Sequence, residues 1–283
     1  MPTLRQKMTE DMQLRNLSPQ TQTSYLLQVT QFTRHFGVPP ETLGPEEIRA
    51  YQLHLLNERQ LSPSSVCVAV AAIRFAYKVS LSRNWDLESI IPFPKKAEKL
   101  PVILSPEEVL AFLGFVASTK HRAILTACHA AGLRVSEAVH LKATDIDSQR
   151  MVIRVEQGKG RKDRYVMLSP NLLELLRSYW RTERPKEWLF PGDQAGRHIT
   201  PEAVERICLK TRRRCSVSKP VTPHSFRHEF AVHLLESGTD IRTIQLLLGH
   251  KGLATTARYL RIATTKVCAT TSPFDLPRRP RSS

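Results

Sequence analysis

The feature that most constrains this chain is a run of prolines and lysines, Ile91-Pro92-Phe93-Pro94-Lys95-Lys96, which leads on to Leu100-Pro101. Proline lacks the backbone N–H that helices and central strands use, so neither element can continue through this run. Segments of this composition commonly join two domains at the protein surface. The sequence therefore predicts an interdomain linker at residues 92–103.

The charge of the chain changes at the same place. Residues 1–91 carry 9 basic and 8 acidic side chains, a net of +1, whereas residues 92–283 carry 33 and 18, a net of +15. Such an excess favours a polyanionic partner, which is DNA, RNA or an anionic membrane. The 28 arginines and 14 lysines favour phosphate contacts, because a guanidinium grips phosphate with two parallel hydrogen bonds. We predict domains at 1–91 and 104–270, followed by a basic tail, rich in proline and arginine, at 271–283.

The first domain is predicted to be a bundle of short helices. Apolar side chains recur at helical spacing in three segments, which start at Pro19, Pro45 and Pro63. Proline in the first turn and serine just before it are typical helix start signals. A weaker pattern predicts a fourth helix at Leu4–Leu14.

The second domain is predicted to combine helices with one β-hairpin. Two β-rich segments, Met151–Val155 and Arg164–Leu168, flank Gly158-Lys159-Gly160, and the glycines allow a tight turn between antiparallel strands. Capping residues and apolar periodicity predict helices at 105–117, 121–131, 170–182, 201–213, 223–236 and 240–248. The expected fold class is therefore mainly α with a small antiparallel β-hairpin or sheet in the second domain (α+β).

Several classes of protein are excluded by simple features. The longest uncharged apolar run, Leu61–Ile73, is shorter than the ~20 residues that span a bilayer, and Met1 to Asp11 is too polar for a signal segment. The five cysteines are odd in number and form no Cys-x-x-Cys pair, so we expect buried thiols rather than a disulfide framework or a zinc site. The expected location is a reducing cytoplasm.

Three local patterns in the second domain place basic groups where a phosphate could bind. Arg134 follows a helix-ending glycine, with Glu137 three residues on, and Lys159 lies at the predicted hairpin tip. His224 and Arg227 share the first turn of a predicted helix, where the helix dipole favours anions. Taken singly, each has an ordinary alternative: a surface ion pair, an exposed turn lysine and solvated polar side chains.

Two further patterns complete the series. His250 follows Leu248-Gly249, and Tyr259 stands between Arg258 and Arg261 with one leucine intervening. A structural histidine and a partly buried tyrosine are the ordinary interpretations, although flanking positive charge would also stabilise a phenolate. The fixed order of all five patterns is much less probable by chance than any one of them.

In this order of motifs the chain resembles the tyrosine recombinase (phage integrase) family of site-specific DNA recombinases. The resemblance covers nearly the whole chain: a helical core-binding domain that clamps DNA, a linker and a catalytic domain. Its specific motifs lie between Ala131 and Tyr259. The chain departs from the usual family pattern at two places. Phe226 and Glu229 stand where leucine and threonine are frequent, and Tyr259 is followed by Leu260-Arg261 rather than the frequent Thr-His.

The resemblance implies a catalytic set and a mechanism. Tyr259 would attack a DNA phosphorus and form a 3′-phosphotyrosine, with Arg134 and Arg227 on the phosphate oxygens and Lys159 as the general acid. His224 is the expected proton acceptor and His250 a hydrogen-bond donor to the phosphate. The implied chemistry needs no metal, nucleotide or small-molecule cofactor.

The expected partner is double-stranded DNA, with four copies of the chain holding two DNA sites, as the resemblance implies. Further phosphate contacts are predicted at Lys95, Lys96, Arg161, Lys162, Arg212, Arg213 and Arg214. Each of these could equally be a solvated charge. A metal site is not predicted, nor is binding to a membrane, and the chain is expected to work on a prokaryotic nucleoid.

Three alternative functions stay open at this level. A type IB topoisomerase would use the same tyrosine chemistry, and a catalytically silent DNA-binding protein would use the same fold. An RNA-binding protein would explain the charge but not the ordered motifs. Integration, excision and resolution of dimers all remain open.

Overall fold

The predicted fold class is confirmed: the protein is mostly helical, with one small antiparallel sheet. The structure, a computed structural model, describes residues 3–95, 102–156, 163–250 and 252–262. The chain divides into two units, Met1–Lys99 and Leu100–Ser283. In the described ranges, no helix combines the length and apolar character needed to span a membrane.

The first unit is built from five helices in its described part. They are α1 (Leu4–Leu14), α2 (Pro19–Phe36), α3 (Pro45–Asn57), α4 (Pro63–Phe75) and the short α5 (Leu87–Ile90). The starts of α2, α3 and α4 are at the predicted prolines. A hydroxyl of Ser18 or Ser62 caps α2 and α4, which satisfies a backbone N–H that the helix itself leaves unpaired.

The core of this unit surrounds the fully buried ring of Phe32. Tyr51 and Tyr77 meet it edge to face, with ring centroids 5.0 and 6.2 Å away. Tyr77 lies in a π-helical turn, Ala76–Ser80, that follows α4, and its hydroxyl donates to the carbonyl of Pro40 at 2.6 Å. The buried phenol thus has its polar end satisfied.

The start of the proline-rich run is attached to the first unit. Arg74 donates to the carbonyl of Ile91 at 2.7 Å, and its guanidinium lies 4.3 Å from the centre of the Phe93 ring. Gln52 donates to the carbonyl of Pro92 at 2.8 Å. Side-chain donors thus satisfy backbone carbonyls of an irregular segment, which has no regular backbone hydrogen bonds of a helix or sheet.

The second unit holds the sheet and the remaining helices. Its helices are α6 (Pro106–Gly114), α7 (Thr119–Ala130), α8 (Val135–Val139), α9 (Pro170–Glu183), α10 (Pro201–Arg212), α11 (Pro223–Glu236), α12 (Ile241–Leu248) and α13 (Leu253–Ala257). The sheet has the order β1 (Ile146–Asp147), β2 (Val152–Val155) and β3 (Arg164–Met167), with antiparallel pairing throughout. Sequence patterns predicted β2 and β3, but β1 has only two residues and therefore shows no alternation.

Two apolar clusters fill this unit. The larger packs α6, α7, α9, α10 and the sheet around residues such as Phe112, Leu125 and Phe226. The smaller joins α11 to α12 and to the 3₁₀ turn Arg258–Arg261, and it contains Phe230 and Tyr259. Helix α11 lies between the two, which explains why nine of its fourteen residues are buried. Buried Cys128 and Cys208 match the expectation for thiols, whereas Cys67 and Cys215 are partly exposed.

Candidate active site

Arg134 is placed by a sharp turn between α7 and α8. Gly132 in this turn has a φ of +61°, which favours glycine, and a Cβ there would lie 2.4 Å from the Phe230 ring. The turn therefore depends on glycine for both conformation and space. Arg134 then forms the N-cap of α8, and its side chain is 20% exposed.

Glu137 is the anionic centre of the site. Its oxygen Oε1 accepts from Nη1 of Arg134 at 2.6 Å, and the pair Oε1 and Oε2 accepts a two-pronged contact from Arg164 at 2.9 and 2.8 Å. Burial alone would raise the pKa of this carboxyl, but the bonds and charges of Arg164 and Arg134 outweigh burial and lower the pKa to about 2. Glu137 is therefore ionised and holds two guanidinium groups in place.

Arg227 is a third cation beside this carboxylate. Its Nη1 lies 3.6 Å from Oε2 of Glu137, and its Nη1 and Nη2 donate to the carbonyls of Gly132 and Leu248. The side chain is 1% exposed, and burial lowers the guanidinium pKa to about 10. Arg227 thus remains charged at neutral pH, and two of its five N–H groups are directed to backbone carbonyls.

Tyr259 lies in the 3₁₀ turn that ends the described chain, and only 1% of it is exposed. Its hydroxyl oxygen is 2.8 Å from Nδ1 of His228 and 3.4 Å from Nη2 of Arg258. A guanidinium can only donate, and Nη2 of Arg258 is 2.9 Å from Nδ1 and 3.1 Å from Nε2 of the same ring. The Tyr259 hydroxyl and Nδ1 of His228 share a hydrogen bond, and the tautomer of the ring sets its direction.

The two histidines of α11 lie side by side. The rings of His224 and His228 are 4.3 Å apart. Burial, followed by the charges of His224 and Arg258, lowers the pKa of His228 to about 3, so its ring is neutral at pH 7. Burial, followed by the charge of Arg227, also lowers the pKa of His224, which is more exposed to solvent.

His250 follows the end of α12. Gly249 ends that helix with a φ of +59°, and the half-buried His250 ring places Nδ1 2.8 Å from the hydroxyl oxygen of Thr256 in α13. This hydrogen bond fixes the ring in the loop that leads to Tyr259.

The predicted residues fall into two groups. Arg134 and Arg227 lie around Glu137, and His224 and Tyr259 lie around His228, the residue that follows Arg227 in α11. Of the residues predicted to contact DNA, Lys95 is exposed in the first unit, while Arg212, Arg213 and Arg214 are exposed at the end of α10. Lys159 lies outside the described residues, as do Lys96, Arg161 and Lys162.

Two contacting residues were not singled out in the sequence. His228 stands four residues after His224, a spacing that puts both on one helix face; His224 was the expected proton acceptor, and the structure places His228 against the tyrosine. Arg164 occurs in the basic run after Lys159 and has no distinguishing signal. Within the part of the chain that the structure describes, no group of three His, Cys, Asp or Glu side chains is arranged to hold a metal ion.

Comparisons with known proteins identify the family of the chain. The sequence model of the phage integrase family matches residues 103–266, and that of the phage integrase N-terminal SAM-like domain matches residues 4–87. An integrase/recombinase of Sinorhizobium fredii is 65% identical over 280 residues, which cover 99% of this chain and 91% of the relative. Tyrosine recombinase XerA of Thermococcus onnurineus is 38% identical over 212 residues, which cover 73% of this chain and 74% of the relative.

Solved structures are similar along most of the chain. The crystal structure of XerA recombinase has 30% identity and a TM-score of 0.55, and the match covers 95% of this chain and 99% of that one. The XerH site-specific recombinase bound to its difH substrate, in a pre-cleavage complex, has 21% identity and a TM-score of 0.70. That match covers 93% of this chain and 84% of the XerH chain, and it supports the fold alone.

Proposed function

The chain belongs to the phage integrase family and is a site-specific tyrosine recombinase, and from this premise we propose that Tyr259 is its nucleophile. The observation that carries the proposal is the hydrogen bond of 2.8 Å between the Tyr259 hydroxyl and Nδ1 of His228, which directly follows Arg227, one of the cations around Glu137. A phenol with an acceptor for its proton and cations nearby is a group prepared for attack on phosphorus.

The proposed reaction exchanges one phosphodiester for another. The Tyr259 oxygen forms a bond to the DNA phosphorus while the bond from phosphorus to the 5′-oxygen breaks. The product is a 3′-phosphotyrosine and a free 5′-hydroxyl, and attack by a 5′-hydroxyl of another strand reverses the step. Because each step keeps one phosphodiester bond, rejoining needs no nucleotide as an energy source.

Charge on the phosphate is proposed to be balanced by Arg134 and Arg227. Three arginines surround one carboxylate, Glu137, which leaves a local net charge of about +2 for an anion to meet. Both arginines are held by neighbouring groups before DNA arrives, so little reorganisation is needed during the reaction. His250 is proposed to add a hydrogen bond to the phosphate.

The protons are proposed to move through two groups. His228 accepts the phenol proton and His224, whose ring is 4.3 Å away, relays it or contacts the phosphate. Burial, and after it the charges of His224 and Arg258, lower the pKa of His228; a bound phosphate anion offsets the part due to charge and makes the ring a better acceptor. Lys159 donates a proton to the leaving 5′-oxygen.

DNA is the partner that the family and its solved complexes support. We further propose that the substrate is double-stranded and that four copies act on two sites, as related recombinations require two duplexes to be cut and exchanged. Lys95, Lys96, Arg161 and Lys162 are proposed to contact the DNA backbone, together with the arginines at the end of α10. We propose that this happens in the cytoplasm of a prokaryote.

The proposal is tested with a trapped intermediate. Duplexes from a randomised pool are selected for binding to the purified chain, and the selected duplex is remade with single nicks, so that a short product diffuses away after cleavage. The wild-type chain and a Tyr165→Phe variant, which loses a half-exposed tyrosine of β3, are expected to form a complex that survives SDS.

The Tyr259→Phe variant is expected to bind the same duplex with unchanged affinity and to form no such complex. A covalent complex with Tyr259→Phe would show that another residue is the nucleophile. Complete absence of a complex with the wild-type chain on every nicked duplex would instead favour a DNA-binding protein without strand-transfer activity.

A further inference from the structure

We propose that Arg164 is a positioning residue for strand cleavage, one that ties three segments of the active site together. The proposal rests on the function proposed above. Arg164 begins β3, five residues after Lys159, and pairs with Val155 of β2 in the register of the sheet. Arg164 therefore ties its own strand, β3, to two other segments of the site.

All three nitrogen atoms of the Arg164 guanidinium are engaged. Nη1 and Nη2 donate to the two oxygens of Glu137 at 2.9 and 2.8 Å, and Nε donates to the carbonyl of Leu247 at 2.9 Å. The side chain is 12% exposed. A side chain used in this way has a fixed orientation, and its bidentate contact to a carboxylate is among the strongest hydrogen-bonded pairs in proteins.

The first segment tied by Arg164 is α8. Its partner Glu137 also holds Arg134, through the side-chain bond of 2.6 Å and through a bond of 2.8 Å from the Arg134 backbone N–H. Without Arg164, the carboxylate would lack its two-pronged partner and would be free to rotate toward Arg134 or Arg227. The positions of both proposed phosphate ligands therefore depend on Arg164.

The second segment is the end of α12, which precedes His250. The last carbonyls of a helix have no partner within the helix, and here Leu247 accepts from Arg164 while Leu248 accepts from Arg227. A Cβ at Gly249 would lie 3.0 Å from Cδ and 3.2 Å from Nε of Arg164. Glycine at this position therefore leaves room for the arginine beneath the loop of His250.

Lysine cannot replace arginine in this role. The planar guanidinium reaches a carboxylate and a carbonyl that lie in different directions, whereas an ammonium acts as a single point charge. Because Arg164 directs all its nitrogen atoms at Glu137 and Leu247, it acts on the reaction through these neighbours rather than by contact with DNA.

The test compares Arg164→Met and Arg164→Lys with Arg154→Met as a matched control. Arg154 lies on the adjacent strand β2 and pairs with Asp145 and Glu156, so its loss removes ion pairs of the same sheet without touching Glu137. The DNA probe is the nicked duplex described above. Its dissociation constant is measured by fluorescence anisotropy, and the rate of covalent complex formation is measured at saturating DNA.

Arg164→Met is expected to slow covalent complex formation by about 10²-fold, because a misplacement of about 1 Å has this effect on a reacting site. The dissociation constant is expected to stay within about threefold, and Arg154→Met is expected to react at the wild-type rate. Arg164→Lys, which keeps the charge, is expected to remain folded and still react at least about tenfold more slowly than wild type.

A double variant separates positioning from a general loss of structure. If Arg164 acts through Glu137, Glu137→Gln combined with Arg164→Lys is expected to react no more slowly than Glu137→Gln alone. Additive effects in the double variant would overturn the proposal, as would wild-type rates in Arg164→Lys. The proposal would also be overturned if Arg164→Met bound DNA more weakly and its slope of log affinity against log salt concentration fell by the equivalent of about one phosphate contact, because Arg164 would then contact DNA directly. Failure of the wild-type chain to form any complex would count against the proposed function instead.

Discussion

Replacement of Glu137 by glutamine tests how much this one carboxylate contributes to the free energy of unfolding of the second unit. Glutamine has nearly the same shape as Glu137 but no charge, and Glu137 is only 9% exposed and contacts Arg134, Arg164 and Arg227. Lowering the carboxyl pKa from an ordinary 4.5 to about 2 corresponds to about 3 kcal/mol of folding stability at pH 7. Removal of one partner from a buried ion pair costs about 3–5 kcal/mol by general experience, which is close to this value.

The pH dependence of this effect has a definite sign. The folded-state pKa is below the unfolded-state value, so the carboxylate stabilises the fold fully above about pH 5 and loses this effect as the pH falls through about 2. The difference between the wild-type chain and Glu137→Gln is therefore expected to be about 3 kcal/mol at pH 7 and roughly half of that at pH 3.

The assay is denaturant unfolding followed by tryptophan fluorescence. The chain has three tryptophans, and in a Trp85→Phe background the remaining Trp180 and Trp188 both report on the second unit. Glu187→Gln, which neutralises an exposed carboxyl of the same unit, is the control. Equal unfolding free energies for Glu137→Gln and the control at pH 7, or a difference that does not change with pH, would refute this reasoning.

Two further predictions concern other charged groups. Glu229 is fully buried, and burial raises its pKa to about 8, so at pH 7 this carboxyl must take up a proton when the chain folds. Glu229→Gln is therefore expected to raise the unfolding free energy by about 3 kcal/mol at pH 7 and to leave it unchanged at pH 4. A gain in unfolding free energy that persists at pH 4 would contradict this cause. Joint replacement of Arg212, Arg213 and Arg214 by alanine is expected to reduce the slope of log affinity against log salt concentration by about 0.9 for each phosphate that these side chains no longer neutralise. An unchanged slope in a salt titration would remove these arginines from the DNA interface.

Local signals in the sequence predicted much of the fold. Serine followed by proline marked the starts of α2 and α4. The serine hydroxyl accepts from a backbone N–H of the first turn and the proline ring fixes a helical φ, so both effects are local in the sequence. The elements that escaped prediction were the shortest ones. Strand β1 has two residues and α13 has five, which is too little for a period to appear.

The candidate site was predicted less evenly. Short motifs marked Arg134, Arg227 and Tyr259, and the structure places the two arginines against Glu137 and the tyrosine against His228. The catalytic roles of these residues stay predictions until the trapped complex is measured. The expected proton acceptor was His224, whereas the structure places His228 against the tyrosine, because both stand on one helix face and only their tertiary neighbours distinguish them.

The sequence by itself determined the family, the types of reacting side chain and the positions of most helices, because these depend on residues close together along the chain. Only the tertiary structure decided which groups meet. Arg227 binds the carbonyl of a residue 95 positions away, Tyr259 meets a histidine 31 positions away, and Arg164 meets a carboxylate 27 positions away. Such contacts depend on the path of the backbone between the partners. They also decide the charge of a buried group: at Glu137 the arginine partners outweigh burial and lower the pKa, whereas at Glu229 burial raises it.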